Sequence, residues 1–208
     1  MTAWQWGVIL SGILSAGALV YLILKRRSLG RKPYFSIPLG SARQGVAYAF
    51  GRGMMPWEKE SARLHLFAYL AGVLYHLGIF SGFAILFIKV FSLNGPALGQ
   101  NIFRWGVGLG LISGAGLLLK RIFVPNVRRL SRPDDFGANV IVDIFLASAL
   151  AASSDARAVT FLLGYSILLF LYIPSGKIRH CIFFFYSRFL FGSFFGRRGV
   201  LPPRHDRS

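Results

Sequence analysis

The stretch that decides the fold is residues 66–88, LFAYLAGVLYHLGIFSGFAILFI, which contains no Asp, Glu, Lys or Arg. A bilayer core about 30 Å thick is crossed by roughly 20 helical residues, so this run is long enough to span a membrane. Residues 4–24, WQWGVILSGILSAGALVYLIL, form a second uncharged run of similar length. Together the two runs predict transmembrane helices in an integral membrane protein.

Three shorter apolar runs follow, and they complete the predicted bundle. They cover residues 105–119, 138–152 and 158–173, and only Asp143 interrupts the middle one. Each reaches spanning length only if its flanks continue the helix, through Ile102 to Phe103 for the first of these and through Lys177 to Cys181 for the last. We therefore predict an all-α integral membrane bundle of five transmembrane helices.

The composition excludes other classes of protein with the same charge. The 208 residues include 24 Lys+Arg and 7 Asp+Glu, a formal charge of +17. A soluble nucleic-acid-binding protein of this charge would not have a mean hydropathy of +0.55 and 20 Phe, and a disordered basic tail would be poor in aromatic residues. One cysteine excludes an intrachain disulfide framework and a cluster held by several cysteines within this chain.

The basic residues separate by loop, which predicts the orientation. Residues 25–65 hold nine of them, residues 120–137 hold five and residues 177–208 hold seven. Only Lys89, Arg104 and Arg157 fall on the opposite side. Because cytoplasmic loops are enriched in Lys and Arg, we expect an N-terminus outside and a C-terminus in the cytoplasm. The first run has its charges after the apolar stretch, which favours an N-out anchor over a cleaved signal peptide.

His76 lies inside the apolar run 66–88, where an ionisable side chain is costly and usually marks a buried polar or functional site. One interpretation is a neutral histidine that hydrogen-bonds to a neighbouring helix. The other is an axial ligand of a b-type haem, for which a neutral imidazole in an apolar helix is suited. Two axial histidines would require the pair His76 and His180 or the pair His65 and His180.

The neighbours favour His76 over His65. Gly72, one turn earlier, would leave space for a flat macrocycle. Four side chains would form an apolar wall beside it: Tyr69, Ile79, Phe80 and Phe83. His65 lies eleven residues back on the same face, about 16 Å away, and would contact a propionate or anchor the helix at the interface.

Three basic residues lie where haem propionates would emerge. They are Arg63, Lys177 and Arg179. Long basic side chains near helix ends also extend to the membrane surface without any ligand, and that interpretation applies equally to each of them.

Asp143 is the one acid inside a predicted helix, about six residues from its cytoplasmic end. With His65 it is a candidate for a quinone or proton site, because quinone reduction needs protons as well as electrons. The alternative is a hydrogen bond to a Ser, Tyr or Arg on a neighbouring helix. Gly106, Gly110 and Gly114 form a ridge of small residues that predicts close helix packing rather than chemistry.

The C-terminal segment 181–198, CIFFFYSRFLFGSFFGRR, interleaves seven Phe and a Tyr with three Arg. Such a segment is typical of a helix that lies in the membrane interface, with its basic groups at anionic headgroups. It would also suit a docking surface for a cytoplasmic subunit. Both interpretations remain open.

The motifs together resemble a known family. LYHLGIF (74–80), IPSGKIRH (173–180), the five spans and the N-out topology resemble the gamma subunit of respiratory nitrate reductase and related cytochrome b membrane subunits. MPWEKESARLHLFAYLAGVLYHLGIF (55–80) and RHCIFFFYSRFLFGSFFGRRGVLPP (179–203) are most similar to the subunits of sulfur-metabolising redox complexes. The resemblance covers most of the chain.

The resemblance implies one haem b rather than two. His76 and His180 match the histidine pair that ligates the haem nearer the cytoplasm in that family. The second pair would fall at Leu86 and Leu162, which are not ligands. The missing pair also puts the family's outer quinol site in doubt.

The expected function follows from this resemblance. It is an electron-transfer subunit of a quinone-linked respiratory complex, not a complete enzyme alone, which exchanges electrons between the quinone pool and a cytoplasmic iron–sulfur subunit. Residues 1–180 would be the haem-binding transmembrane domain and residues 181–208 a cytoplasmic interfacial tail, in the cytoplasmic membrane of a bacterium or archaeon. The alternative is a haem-free membrane anchor or small transporter with structural histidines.

Overall fold

The computed structural model describes residues 1–30, 37–58, 60–93 and 96–202. All regular secondary structure in these ranges is helical, which confirms the all-α prediction. Besides three short 3-10 turns, the described ranges contain α-helices that we number in chain order: α1 (Ala3–Ser28), α2 (Ala42–Phe50), α3 (Glu60–Leu64), α4 (Leu66–Val90), α5 (Ala97–Phe123), α6 (Pro125–Leu130), α7 (Pro133–Ala152), α8 (Arg157–Tyr172) and α9 (His180–Arg197).

Four of these helices are long and apolar enough to cross a membrane: α1, α4, α5 and α7. A fifth span is counted only if α8 and the helical segment Lys177–Arg197 are taken together. The described chain is therefore a helical bundle with four or five candidate spans, as expected of a multi-pass membrane protein.

The predicted continuation of the fifth helix to Cys181 is wrong. α8 ends at Tyr172, and the chain bends by 73° before the segment Lys177–Arg197. Pro174 has no N–H to continue the helical hydrogen bonds, and the amide of Gly176 instead donates to the Tyr172 carbonyl at 2.8 Å. His180 consequently begins α9 and does not end the fifth helix.

The predicted start of the fourth helix is also displaced. The helix begins at Pro133 rather than near residue 138, with Pro133 in the first turn, where its missing N–H costs nothing. The Asp135 carboxylate accepts the Arg132 backbone N–H at 2.8 Å and caps this end. Asp143 therefore lies about 15 Å along the helix axis from the start of α7, near its middle.

The chain divides into two compact units. The first contains Met1–Ala18 and Phe67–Ile178, so it holds the first half of α1 and nearly all of α4 to α8. The second contains Leu19–Leu66 and the described residues from Arg179 onward. The sequence analysis predicted a boundary at residue 180 between a transmembrane domain and a cytoplasmic tail. That boundary refers to the position of the membrane, and it stays a prediction.

In the first unit, polar contacts at the helix ends show which ends meet. The Gln5 side-chain amide, near the start of α1, donates to the Lys89 carbonyl and to the Ser92 hydroxyl, each at 3.1 Å, at the end of α4. At the end of α8, the Tyr172 hydroxyl donates to the Asp134 carboxylate at the start of α7. α1 and α4 therefore run in opposite directions, and so do α7 and α8.

Glycines bring the helices of the first unit into backbone contact. A Cβ built on Gly110 of α5 would lie 2.5 Å from the Cα of Gly78 on α4, and one on Gly106 would overlap the Ser81 side chain. A Cβ on Gly114 would collide with the Tyr75 ring. The predicted packing role of this ridge is confirmed, and its partner is α4.

In the second unit, α2 packs against α9 in the same way. A Cβ on Gly192 would lie 2.6 Å from the Cα of Val46, and one on Gly196 would lie 2.8 Å from the Cα of Gly45. The backbone N–H of Gly40 donates to the Arg197 carbonyl at 3.0 Å. Residues between the first two apolar runs, which the sequence indicated only as a loop, thus form a helix that pairs with the C-terminal helix.

A polar cluster orders the segment after α2. Glu58 accepts the Tyr48 hydroxyl at 2.8 Å and the Arg52 guanidinium at 2.6 Å. Partial burial and the bond to Glu58 raise the pKa of Tyr48 above its usual range. Phe50 stacks on Phe185 of α9 with the ring centroids 6.2 Å apart.

The glycine contact between α4 and α5 gives a testable prediction. Gly110→Ala should lower the free energy of unfolding in detergent by about 1–3 kcal/mol, because the added methyl must displace backbone atoms of Gly78. The measurement is the midpoint of denaturant-induced loss of helicity.

Gly108→Ala on the same helix is the matched control, because a Cβ there would meet no described atom within 4 Å. It should leave stability unchanged or raise it by less than about 1 kcal/mol, since alanine is the better helix former. Equal effects of the two substitutions would contradict the packing explanation.

Candidate functional site

His76 lies in the middle of α4 with its ring exposed on the surface of the described chain. Its Nδ1 is 2.7 Å from the carbonyl oxygen of Gly72, one turn earlier. A carbonyl can only accept, so Nδ1 carries the proton and Nε2 is the nitrogen with the lone pair in a neutral ring. The Tyr75 ring meets the imidazole edge-on, with 6.3 Å between ring centroids.

This arrangement fits an axial ligand. Histidines that ligate metals almost always donate their second ring N–H to a carbonyl or carboxylate, which fixes the tautomer and the ring plane. A Cβ built on Gly72 would meet no atom of the described residues within 4 Å, so none of them packs closely against the helix at that position. The tautomer and the exposure of the ring would allow it to act as a ligand.

The predicted apolar wall beside His76 is only partly available. Phe80 is 68% exposed and lies one turn after His76. Phe83 packs inside the unit, with its centroid 5.0 Å from that of Phe145 and 6.0 Å from that of Phe170. Tyr69 and Ile79 are half-buried. Phe80 is therefore the aromatic residue of this wall that a ligand beside His76 would cover most.

The remaining predicted site residues belong mainly to the second unit. His180 is the first residue of α9 and is exposed, as is Arg179 before it. His65 lies at the turn between α3 and α4, and Arg63 is exposed at the end of α3. His76 belongs to the first unit and His180 to the second, so neither unit by itself contains both predicted ligands. His205 lies outside the described residues.

Lys177 has a protein partner in the first unit. Its ammonium group donates to the Asp135 carboxylate, and the Arg121 guanidinium lies 3.6 Å from the same oxygen. Arg121 also donates to the Ser131 hydroxyl at 3.1 Å. The end of α5 and Lys177, which follows α8, are thus joined electrostatically to the start of α7.

A buried polar cluster lies between α4, α5 and α7, and the sequence pattern indicated only one of its members. The side-chain amide of Asn139 donates to the Asp143 carboxylate at 2.9 Å, to the Tyr75 hydroxyl at 3.3 Å and to the Gly114 carbonyl at 3.3 Å. The Tyr75 hydroxyl donates to the Asn139 backbone carbonyl at 3.3 Å. Asn139 precedes Asp143 by one turn, a spacing that places both on one helix face; no pattern along the chain indicates Tyr75.

The positions of the absent second histidine pair are closed. Leu86 on α4 is 4% exposed and Leu162 on α8 is fully buried, and both lie in the core of the first unit. Apolar side chains occupy this part of the bundle.

The ion pair at the end of the first unit gives a second prediction. Lys177→Met and Asp135→Asn should each destabilise the protein, and the two changes together should cost less than their sum. Lys177 is half exposed, so we expect a coupling of only about 0.5–1 kcal/mol. A double-mutant cycle of detergent unfolding measures it, and strict additivity would show that the pair contributes nothing.

Comparison of the chain with family models, with curated proteins and with solved structures finds no match. A functional proposal therefore depends on the residues and on their geometry.

Proposed function

We propose that the chain is a single-haem cytochrome b membrane subunit that carries electrons between a quinone pool and a cytoplasmic iron–sulfur subunit. The observation that supports this best is His76, an imidazole in the middle of a candidate span whose Nδ1 is bonded to the Gly72 carbonyl. An ionisable side chain at this depth is costly, and axial ligation would account for it.

His180 is the second residue that would hold the haem iron. His76 belongs to the first unit and His180 to the second, and each would contribute one imidazole. When bound, the haem supplies one-electron chemistry, while the chain supplies ligation, orientation and depth in the membrane. Arg63 and Arg179, both exposed, are candidates for the propionates, and Lys177 would have to share its ammonium group with Asp135.

The C-terminal helix is proposed to face the partner subunit or the headgroups next to it. Phe185 and Phe189 on α9 are more than half exposed. The Arg198 guanidinium lies 4.1 Å from the centroid of Phe194, an arrangement typical of cation–π pairing. With 21 of the 24 basic residues on this side, we propose a cytoplasmic orientation for it and an outside N-terminus, in a bacterial or archaeal cytoplasmic membrane.

A haem-free membrane anchor or small transporter is the second candidate. The bond from His76 to its own helix would also satisfy a purely structural histidine, and His180 at a helix start would be an interfacial residue. The two proposals differ in one measurable property, which is the presence of a haem.

The haem proposal predicts an absorption spectrum. The purified full-length chain, reduced with dithionite, should show a low-spin b-type spectrum with one haem per chain. His76→Ala and His180→Ala should each abolish it, because each removes one axial ligand. A chain that binds no haem when haem is supplied in excess would leave only the anchor or transporter proposal.

His65→Ala is the matched control, since His65 lies just before the start of α4 and is not proposed as a ligand. Its spectrum should equal that of the unmodified chain. Loss of haem in His65→Ala with retention in His76→Ala would show that the ligand assignment is wrong.

The orientation is tested with the single cysteine. Cys181 is exposed at the start of α9. A membrane-impermeant maleimide should label it in inverted membrane vesicles and not in intact cells. Ser154 lies in the exposed turn between α7 and α8, so Ser154→Cys in a Cys181→Ser background should be labelled in intact cells. The reverse pattern would overturn the proposed topology.

A further inference from the structure

Asp143 has one carboxyl oxygen with a hydrogen-bond donor and one without. It lies near the middle of α7, a candidate membrane span. Its Oδ1 is shielded from solvent and receives no hydrogen bond of good geometry from the described residues. An ionised carboxylate is disfavoured when one of its oxygens loses water without gaining a donor or a counter-charge there.

The described helix segments around Asp143 contain no counter-charge. Residues 105–119 of α5 and 158–172 of α8 contain no charged side chain, and the remainder of α7 after Asp135 contains none besides Asp143. Of the titratable groups on the packed helices, Tyr75 of α4 contacts the carboxyl, and Tyr165 of α8 donates its hydroxyl to the Ile141 carbonyl at 3.0 Å. The others lie nearer the ends of these helices: Tyr69, Lys89, Arg104, Lys120, Arg121, Arg157 and Tyr172. Arg121 lies beside Asp135, and the Tyr172 hydroxyl donates to Asp134. His76 follows Tyr75 on α4, but its ring is on the exposed face.

The orientation of the Asn139 amide identifies which oxygen is left over. Because the Gly114 carbonyl can only accept, the nitrogen of the Asn139 amide must face the cluster. That nitrogen donates to Oδ2 of Asp143 at 2.9 Å, so Oδ2 has the role of a carbonyl oxygen. Oδ1 is the oxygen without a donor, and it is the oxygen that can itself become a donor.

Oδ1 is packed closely against its neighbours. A Cβ built on Gly114 would collide with Oδ1 of Asp143 and also with the Tyr75 ring, so the glycine backbone, the tyrosine and the carboxyl are in close contact. The Tyr75 ring and Oδ1 therefore lie against the same glycine.

We propose that Tyr75, Asn139 and Asp143 form a proton-binding site inside the first unit, where Asp143 is a neutral carboxylic acid at pH 7 with the proton on Oδ1. The Tyr75 hydroxyl accepts this proton's hydrogen bond and donates its own to the Asn139 carbonyl. The Asp143 carboxyl, the Tyr75 hydroxyl and the Asn139 carbonyl then each have a hydrogen-bond partner, and the cluster has no net charge. The site does not depend on the proposed haem.

Infrared spectroscopy of the full-length protein tests the site. The sample is purified at pH 7 in a detergent free of ester and carboxyl groups, with aspartate labelled with ¹³C at the side-chain carboxyl. We expect the carbonyl band of one protonated Asp per chain, and it should shift on labelling. Absence of this band in the unmodified chain overturns the proposal, whatever the variants do.

Asp143→Asn should remove the band. Asp134→Asn is the matched control on the same helix, because Asp134 is exposed at its end; it should leave the band unchanged. Tyr75→Phe keeps the ring over Gly114 and removes the hydroxyl, so the band should persist and change frequency. A band that survives in Asp143→Asn, or that Tyr75→Phe does not move, would show that the proton is not held in this cluster.

Discussion

The fold depends on one constraint: a polar group in the apolar core of a membrane has no water to hydrogen-bond with and must find its partner within the protein. The backbone satisfies this requirement by forming continuous helices along the four unbroken candidate spans, α1, α4, α5 and α7. The polar side chains inside the spans satisfy it locally. His76 uses the Gly72 carbonyl of its own helix, and Asn139 shares its amide among a carboxylate, a hydroxyl and a carbonyl.

Glycine contacts are the second basis of the fold. Lipid tails are as apolar as the side chains of the helices, so helices in a membrane gain little from hydrophobic contact with each other. Close backbone approach restores van der Waals contact. The Gly78–Gly110 contact joins α4 to α5, and the Gly45–Gly196 contact joins α2 to α9. In each unit, two glycines that are far apart in the sequence thus bring two helices into backbone contact.

The proposed electron-transfer role and the proposed proton site occupy neighbouring residues with different surroundings. Tyr75 is buried against Gly114, whereas His76, the next residue, is exposed on another face of α4, since consecutive residues of a helix point about 100° apart. Under the two proposals, His76 would contact a haem outside the first unit, and Tyr75 would contact a proton-binding carboxyl inside it. Lys177 illustrates the opposite case, in which a residue suited to a propionate already has a carboxylate partner.

The amino-acid sequence alone determined the helical class, the main spans and the packing ridge on α5, because apolar length and small-residue spacing are local properties of the chain. It located His76 and Asp143 for the same reason, since an ionisable residue in an apolar run is conspicuous. Three features were decided only by the tertiary structure. The break after Tyr172 moved His180 to the start of α9, the pairing of α2 with α9 ordered a segment that had indicated only a loop, and Tyr75 joined Asn139 at Asp143. These features depend on which helix lies beside which, and contacts between residues 64 positions apart leave no periodic signal in the sequence.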